Sequence, residues 1–597
     1  MHRVQPIYLE SDDQTSLALF HAAGQGGSNR SSVLICPPWG WDEVASYRTR
    51  RKWAQRLAES GHPTLRLELP ATGDSGGTPA DAGLVDSWIG AIAAAASWLK
   101  SAGGGSPLVA LGLGLGGLLG LESLTAGAPI DEMALWAMPA LGRGFVRETR
   151  AFSRLQAWQV DDDSAELAAG LPEGWLEAGG FTLSAETMES LAALDSRAGG
   201  SPALRRALLL DRDGIAVDRG LRERLERGGV EVSLAPGVGW GEMVSHPERS
   251  RLPLNAAERF EAWLDAGRTP PGDAPAGRAE APVAAERIEL SAGGSDIHES
   301  PLILDQPWGQ AFGVLVSPTA DRVPDLVAVF LNAGAVREIG PSRIWVETSR
   351  AWAGQGVPGL RLDLEGIGEA DGPAAGSLRV ADFYDSKYQG QITAALDALI
   401  ERGVGRRFVL VGLCAGGYWS FRTAVADRRV GVVLAINAGA LRWSPDLLAE
   451  REARKAGRAL QRHWWAKLIR GDVGLRKVGR LAGSMLVRVA RSLRRLGSRA
   501  VGRGGDPLSA GIEADLDALR ESGTRVVIAF SGEEPLGHEV MQSAIPGQLA
   551  RWPETALLDL PGSDHTLRPI AAQVAVRELL DGELARELAP GAVPRSR

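Results

Sequence analysis

The chain has 597 residues, too many for one ordinary core, so its length predicts two to four domains. Its composition, 44% apolar and 23% charged, is that of a soluble globular protein, and a formal net charge of −8 argues against general nucleic-acid binding. Two cysteines, Cys36 and Cys414, cannot build a disulfide framework and no Cys/His cluster has zinc spacing, so neither a metal nor a cofactor is expected.

The amino-terminal residues show no basic, apolar and small-residue leader pattern. The longest apolar run, around residues 108–121, is too short and glycine-rich to span a bilayer, and a cytoplasmic location is expected. Residues 33–41, VLICPPWGW, read as a strand ending in a loop, with Cys36 as a buried apolar thiol. Residues 47–77 follow, YRTRRKWAQRLAESGHPTLRLELPATGDSGG, and a helical stretch comes after them. Residues 107–117, PLVALGLGLGG, read as a buried strand entering a glycine turn. Residues 266–286 are rich in Ala, Pro and Gly without apolar periodicity, and are expected to link a domain at 1–265 to one at 287–597.

Beyond the linker the plan repeats. Residues 342–372, SRIWVETSRAWAGQGVPGLRLDLEGIGEADG, align without a gap onto 47–77 at a constant offset of 295, with Arg343 over Arg48. A strand and loop precede this block at 327–336, VAVFLNAGAV, and a buried strand with a glycine turn follows it at 407–417, RFVLVGLCAGG. Strands alternating with helical stretches imply βαβ units, hence an α/β fold with a mainly parallel sheet in each half.

Gly412-Leu413-Cys414-Ala415-Gly416 fits a nucleophile elbow with cysteine in place of serine. The flanking glycines are needed because the turn from strand to helix is too tight for side chains. In such an architecture an acid and then a histidine follow on loops after later strands. Residues 524–537, TRVVIAFSGEEPLG, offer Glu534, directly before Pro535, with Glu533 as second choice. Residues 556–569, ALLDLPGSDHTLRP, offer His565, and His538 is the fallback base. The expected chemistry has Glu534 orienting His565, which takes the proton of Cys414 so that the thiolate attacks. Backbone N–H groups of Ala415 and of Gly334 or Ala335 are the expected oxyanion hole.

These motifs resemble the α/β-hydrolase superfamily in both halves, and the resemblance implies two tandem α/β-hydrolase domains with helical caps. RLELPATGDSGG and RLDLEGIGEADG look like the strand-to-loop motif before the elbow, and PGSDHTL looks like the histidine loop. The first half, with PPWGWDEVASYRTRR and EMVSHPERSRLP, is similar to hydrolase-like proteins of exosortase and exopolysaccharide loci. The Gly-x-Cys-x-Gly-Gly box also resembles that of polyhydroxyalkanoate synthases, which implies thioester chemistry but no polymerase.

In the first half the aligned positions carry Gly114 for Cys414 and Trp240 for His565. Asp211 or Asp213 could fill the acid place and His246 could be a displaced base, but a half without nucleophile and base is expected to be non-catalytic. Between 451 and 503 the second half places 16 Lys/Arg against Glu452 and Asp472, about +14 in a basic helical cap expected at about 441–515. Three readings attach to this cap. It could steer a carrier such as coenzyme A or an acyl carrier protein bearing an acyl thioester, solvate one helix face, or contact an anionic membrane peripherally. Trp464 and Trp465 could line an acyl pocket. The reading favoured for the whole chain is a cysteine-dependent acyltransferase or thioesterase. The competing reading is a scaffold or partner-binding protein without activity.

Overall fold

The computed structural model describes residues 4–11, 14–24, 30–157, 171–200, 202–267, 284–320, 325–373, 380–444, 507–532, 534–541, 543–560 and 563–589. The first half contains strands β1 (Val4–Ser11), β2 (Gln14–His21), β3 (Ser32–Cys36), β4 (Thr64–Leu67), β5 (Leu108–Leu113), β6 (Glu132–Trp136), β7 (Leu176–Ala178), β8 (Phe181–Leu183), β9 (Arg206–Leu210) and β10 (Glu231–Ala235). Eight of them form one sheet in the order β1-β2-β4-β3-β5-β6-β9-β10, antiparallel as far as the β2–β4 pair and parallel beyond it.

The second half contains β11 (Ile288–Ala292), β12 (Ser295–Gln306), β13 (Gly309–Pro318), β14 (Leu326–Leu331), β15 (Gly359–Asp363), β16 (Arg407–Leu413), β17 (Val430–Ile436), β18 (Arg525–Ser531) and β19 (Thr555–Leu560). Their order is β11-β12-β13-β15-β14-β16-β17-β18-β19, the same succession with one added edge strand. Each half is therefore an α/β domain, as expected. The central strands β5, β14 and β18 are buried along their whole length because helices cover both faces of the sheet, which is why they read as unbroken apolar runs.

The expected linker is only partly described. Helix Leu254–Ala266 runs to its start, and at its far end Ala285 bridges to Tyr8 of β1. In the first half a cap of helix Gly142–Ala157, the hairpin β7–β8 and helix Ala185–Ala193 is inserted between β6 and β9. In the second half the basic stretch 451–503, with Trp464 and Trp465, lies outside the described residues. Helix Pro507–Glu521 follows it, runs past the expected cap boundary at 515, and ties back through Asp515 to Arg442 and Arg422. Among the described residues, no helix is long and apolar enough to cross a membrane.

The two halves join through a reciprocal buried contact. Arg48 donates to the carbonyls of Gly368, Ala370 and Gly372 at 2.8, 2.5 and 2.9 Å. Arg343 donates to those of Gly73, Ser75 and Gly77 at 2.7, 2.6 and 3.2 Å. Beneath them Arg66 pairs with Glu369 at 2.7 Å and Arg361 with Asp74 at 2.8 Å, again equivalent residues exchanged. This is the pattern of an isologous interface, here within one chain.

Candidate active site

β16 turns into helix Ala415–Ala426 at Cys414, whose backbone has φ 57° and ψ −116°. A non-glycine residue in this region is strained and persists only where its surroundings fix it. The glycines make the turn feasible, because a Cβ on Gly412 would strike the backbone of Gly416, and one on Gly416 would strike the carbonyl of Asn332. Ala415 is the first residue of its helix, so its N–H lacks an intrahelical acceptor and is available to an oxyanion. Gly334, at φ 58°, and Ala335 form the tip of a tight turn closed by the Ala333–Val336 bridge, in the loop after β14. Ala333, Val336 and Cys414 pack on the same core, which places that loop beside the elbow.

Glu534 and His565 come from loops after β18 and β19. Glu534 is 8% exposed, and its Oε1 lies 2.7 Å from Nδ1 of His565. Cys414 is near enough to the imidazole to act on its charge, and with Nδ1 taken by Glu534 the ring nitrogen left free is Nε2. Burial disfavours the charged ring, but its interactions with Cys414 and Glu534 outweigh it and raise the His565 pKa to about 11. The His565 side chain is still 43% exposed, so solvent screens part of this stabilisation. The geometry thus brings together the three residues read from the sequence, while Glu533 lies outside the described residues. His538 turns its Nδ1 toward the Glu534 carbonyl, on the helix Pro535–Met541.

Sequence reasoning missed Asn437. It is fully buried at the end of β17 with φ 44°, donates to Ser531 Oγ at 2.8 Å and to the His565 carbonyl at 3.0 Å, and accepts from the Ser531 N–H at 2.7 Å. It clamps the acid and histidine loops to one strand end. The signal was a lone asparagine closing an apolar run. The first half also reaches this edge, since Gln573 donates to the carbonyls of both Gly180 and Arg568, pinning the β7–β8 turn to the segment that carries His565.

In the first half Gly114 keeps the elbow backbone, with φ 53° and ψ −126°. A Cβ there would lie 3.2 Å from the Trp240 ring, so the tryptophan fills the space of a nucleophile. Asp213 stands at the acid place but caps the backbone N–H groups of Gly239 and Gly241, and Asp211 accepts from Gly237. His246 packs its ring on Trp41 and accepts from the Glu248 N–H. Cys36 is buried, and burial pushes its thiol up to about 12. Among the described residues, no His/Cys/Asp/Glu group is arranged to hold a metal ion.

No protein-family model and no curated protein matches the chain. Among solved structures it is similar to Est1E from Butyrivibrio proteoclasticus, solved with ferulic acid, at 14% identity and a TM-score of 0.32 over 44% of this chain and 99% of that one. It is similar to a Pyrococcus furiosus esterase at 17% identity and a TM-score of 0.31, over 44% and 91% of the two chains. A lidless α/β serine hydrolase from Xanthomonas campestris is similar at 15% identity and a TM-score of 0.28, over 49% and 96%.

Proposed function

We propose that the second half is a cysteine-dependent acyl-transfer enzyme that forms an acyl-enzyme on Cys414, with a thioester as acyl donor. The observation that carries this reading is the Glu534–His565 hydrogen bond, with the imidazole acting on Cys414 at an elbow whose backbone is strained. His565 takes the thiol proton, and the thiolate attacks the carbonyl carbon. The N–H groups of Ala415 and of Gly334 or Ala335 donate to the oxyanion, and collapse expels the carrier thiolate, which receives the proton from His565. Water, an alcohol or an amine then gives its proton to His565 and attacks the acyl-enzyme, releasing Cys414. Thioester donors are favoured over simple esters because one thiolate replaces another of similar basicity. Transfer and hydrolysis share every step but the last acceptor.

In this reading the two halves arose by duplication, and the first kept the fold while Gly114 and Trp240 replaced its nucleophile and base. The basic stretch 451–503 would steer coenzyme A or an acyl carrier protein by its charge. The second reading, a scaffold without activity, is favoured by the plugged first half alone.

The test is the pH dependence of iodoacetamide alkylation at Cys414, located by peptide mass, in wild type and His565→Ala. Rapid labelling near neutral pH that slows sharply in the variant is the expected result. Equal slow labelling of both proteins, with access shown by a small neutral thiol reagent, would establish the scaffold.

A further inference from the structure

The cap of the first half carries a feature that the proposed chemistry does not use. Arg143, Arg147, Arg150 and Arg154 follow one another at spacings of four, three and four along helix Gly142–Ala157, and so stand on one face. All four line a groove of about 660 Å³ between this helix and helix Ala185–Ala193. Its floor is apolar, with Val146 and Met188 buried at 5% and 6% exposure, and Ala192 beside them. The facing helix contributes one lining carboxylate, Glu189.

Three things set this groove apart from an ordinary solvated helix face. Like charges at these spacings repel and cost the helix stability, so a helix that keeps four of them gains from a bound anion. Among the described residues none of the four arginines is in an ion pair, whereas Glu148 on the same helix pairs with Arg212 on the other side. The arginines also border a concave apolar floor of the size that takes a single small ligand, rather than a flat surface.

We infer that this groove binds one molecule of an organic phosphate carrying an apolar chain. The guanidinium ladder would hold the phosphates as bidentate partners, and Val146 and Met188 would receive the chain. The site belongs to the half without a nucleophile and is separate from Cys414, so its occupancy does not depend on the proposed reaction.

The test is calorimetric titration of decanoyl-coenzyme A into the full chain carrying Cys414→Ala, which removes turnover from the readout. The same titration follows with Arg147→Glu/Arg150→Glu and with the milder Arg147→Gln/Arg150→Gln added. Binding that weakens about tenfold or more in the charge reversal, less in the glutamine variant, and with rising salt is the expected outcome. Absence of binding, or binding equal in all three proteins, overturns the inference. Cosedimentation with vesicles of anionic phospholipid, lost in the charge reversal while the monomeric thioester fails to bind, would assign the arginines to a membrane surface instead.

Discussion

Asn437 donates from Nδ2 to the carbonyl of His565, 3.0 Å away, and so fixes the backbone that carries the proposed base. The equivalent position after the first elbow is Ala137, which also has a positive φ, 54° against 44°, and no clamp to offer. Asn437→Ala should lower kcat about 10- to 100-fold by letting the imidazole drift, and leave KM within about twofold. Histidine-dependent alkylation of Cys414 should slow in parallel. A variant that loses stability but keeps both kcat and the alkylation profile would make Asn437 merely structural.

His565 holds its proton to about 11, against an ordinary 6.5 in the unfolded chain. A raised cation contributes stability that is fully present below about pH 6.5 and is lost as pH rises through about 11. The difference in melting temperature between wild type and His565→Gln should therefore be largest at pH 6 and shrink toward pH 11. Melting curves of both proteins across that range give the sign directly.

The two thiols should separate cleanly. Burial keeps Cys36 protonated up to about pH 12, so the native protein should take up one equivalent of alkylating reagent, at Cys414. The second equivalent should enter only on unfolding in denaturant, and early labelling of Cys36 would show that the first half opens.

Arg361 sits fully buried between Asp74 of the other half, at 2.8 Å, and Glu299, at 2.9 Å. Burial alone would raise the Asp74 carboxyl, but Arg361, Arg337 and Arg350 hold it down to about 2. Its contribution is thus present above about pH 4, its unfolded value, and is lost as pH falls toward 2. Arg361→Ala removes one cation from two buried carboxylates, leaving Glu299 to Arg350 and Asp74 to Arg337, and should cost about 3–5 kcal/mol in denaturant unfolding. The loss should narrow on acidification.

Placing a thiol at the first elbow should not create chemistry there. Gly114→Cys meets the Trp240 ring and should destabilise the fold by about 1–3 kcal/mol without adding activity. Paired with Trp240→His it should recover the stability, and alkylation at position 114 is the readout.

Much of this site was legible in the sequence because its parts are local. Buried parallel strands announce themselves as apolar runs such as 326–331, and the elbow glycines bracket Cys414 within five residues. The order of acid and histidine followed from strand succession, and the replacement of the base by Trp240 from alignment of the two halves, whereas only the structure shows its ring filling the space beside Gly114. Asn437 was illegible because its partners are 94 and 128 residues away, and an asparagine ending a strand looks like any loop residue. The repeat displayed Arg48 and Arg343 as equivalents, but only the packing of one half on the other shows that each arginine grips its counterpart's loop. The antiparallel edge strand β11 escaped notice because its alternation is short and half exposed.

The reciprocal contact between the halves has a further consequence. In a dimer of identical chains every substitution appears on both sides of the axis, so a change that suits one site is imposed on the other. Here each substitution falls on one side only. Tyr47 can therefore place its ring under Arg337, 4.0 Å from the guanidinium, while its counterpart Ser342 remains small and lies against Gly180. Because the partner surface is tethered, the contact also survives dilution, and each half can change its own side of it alone.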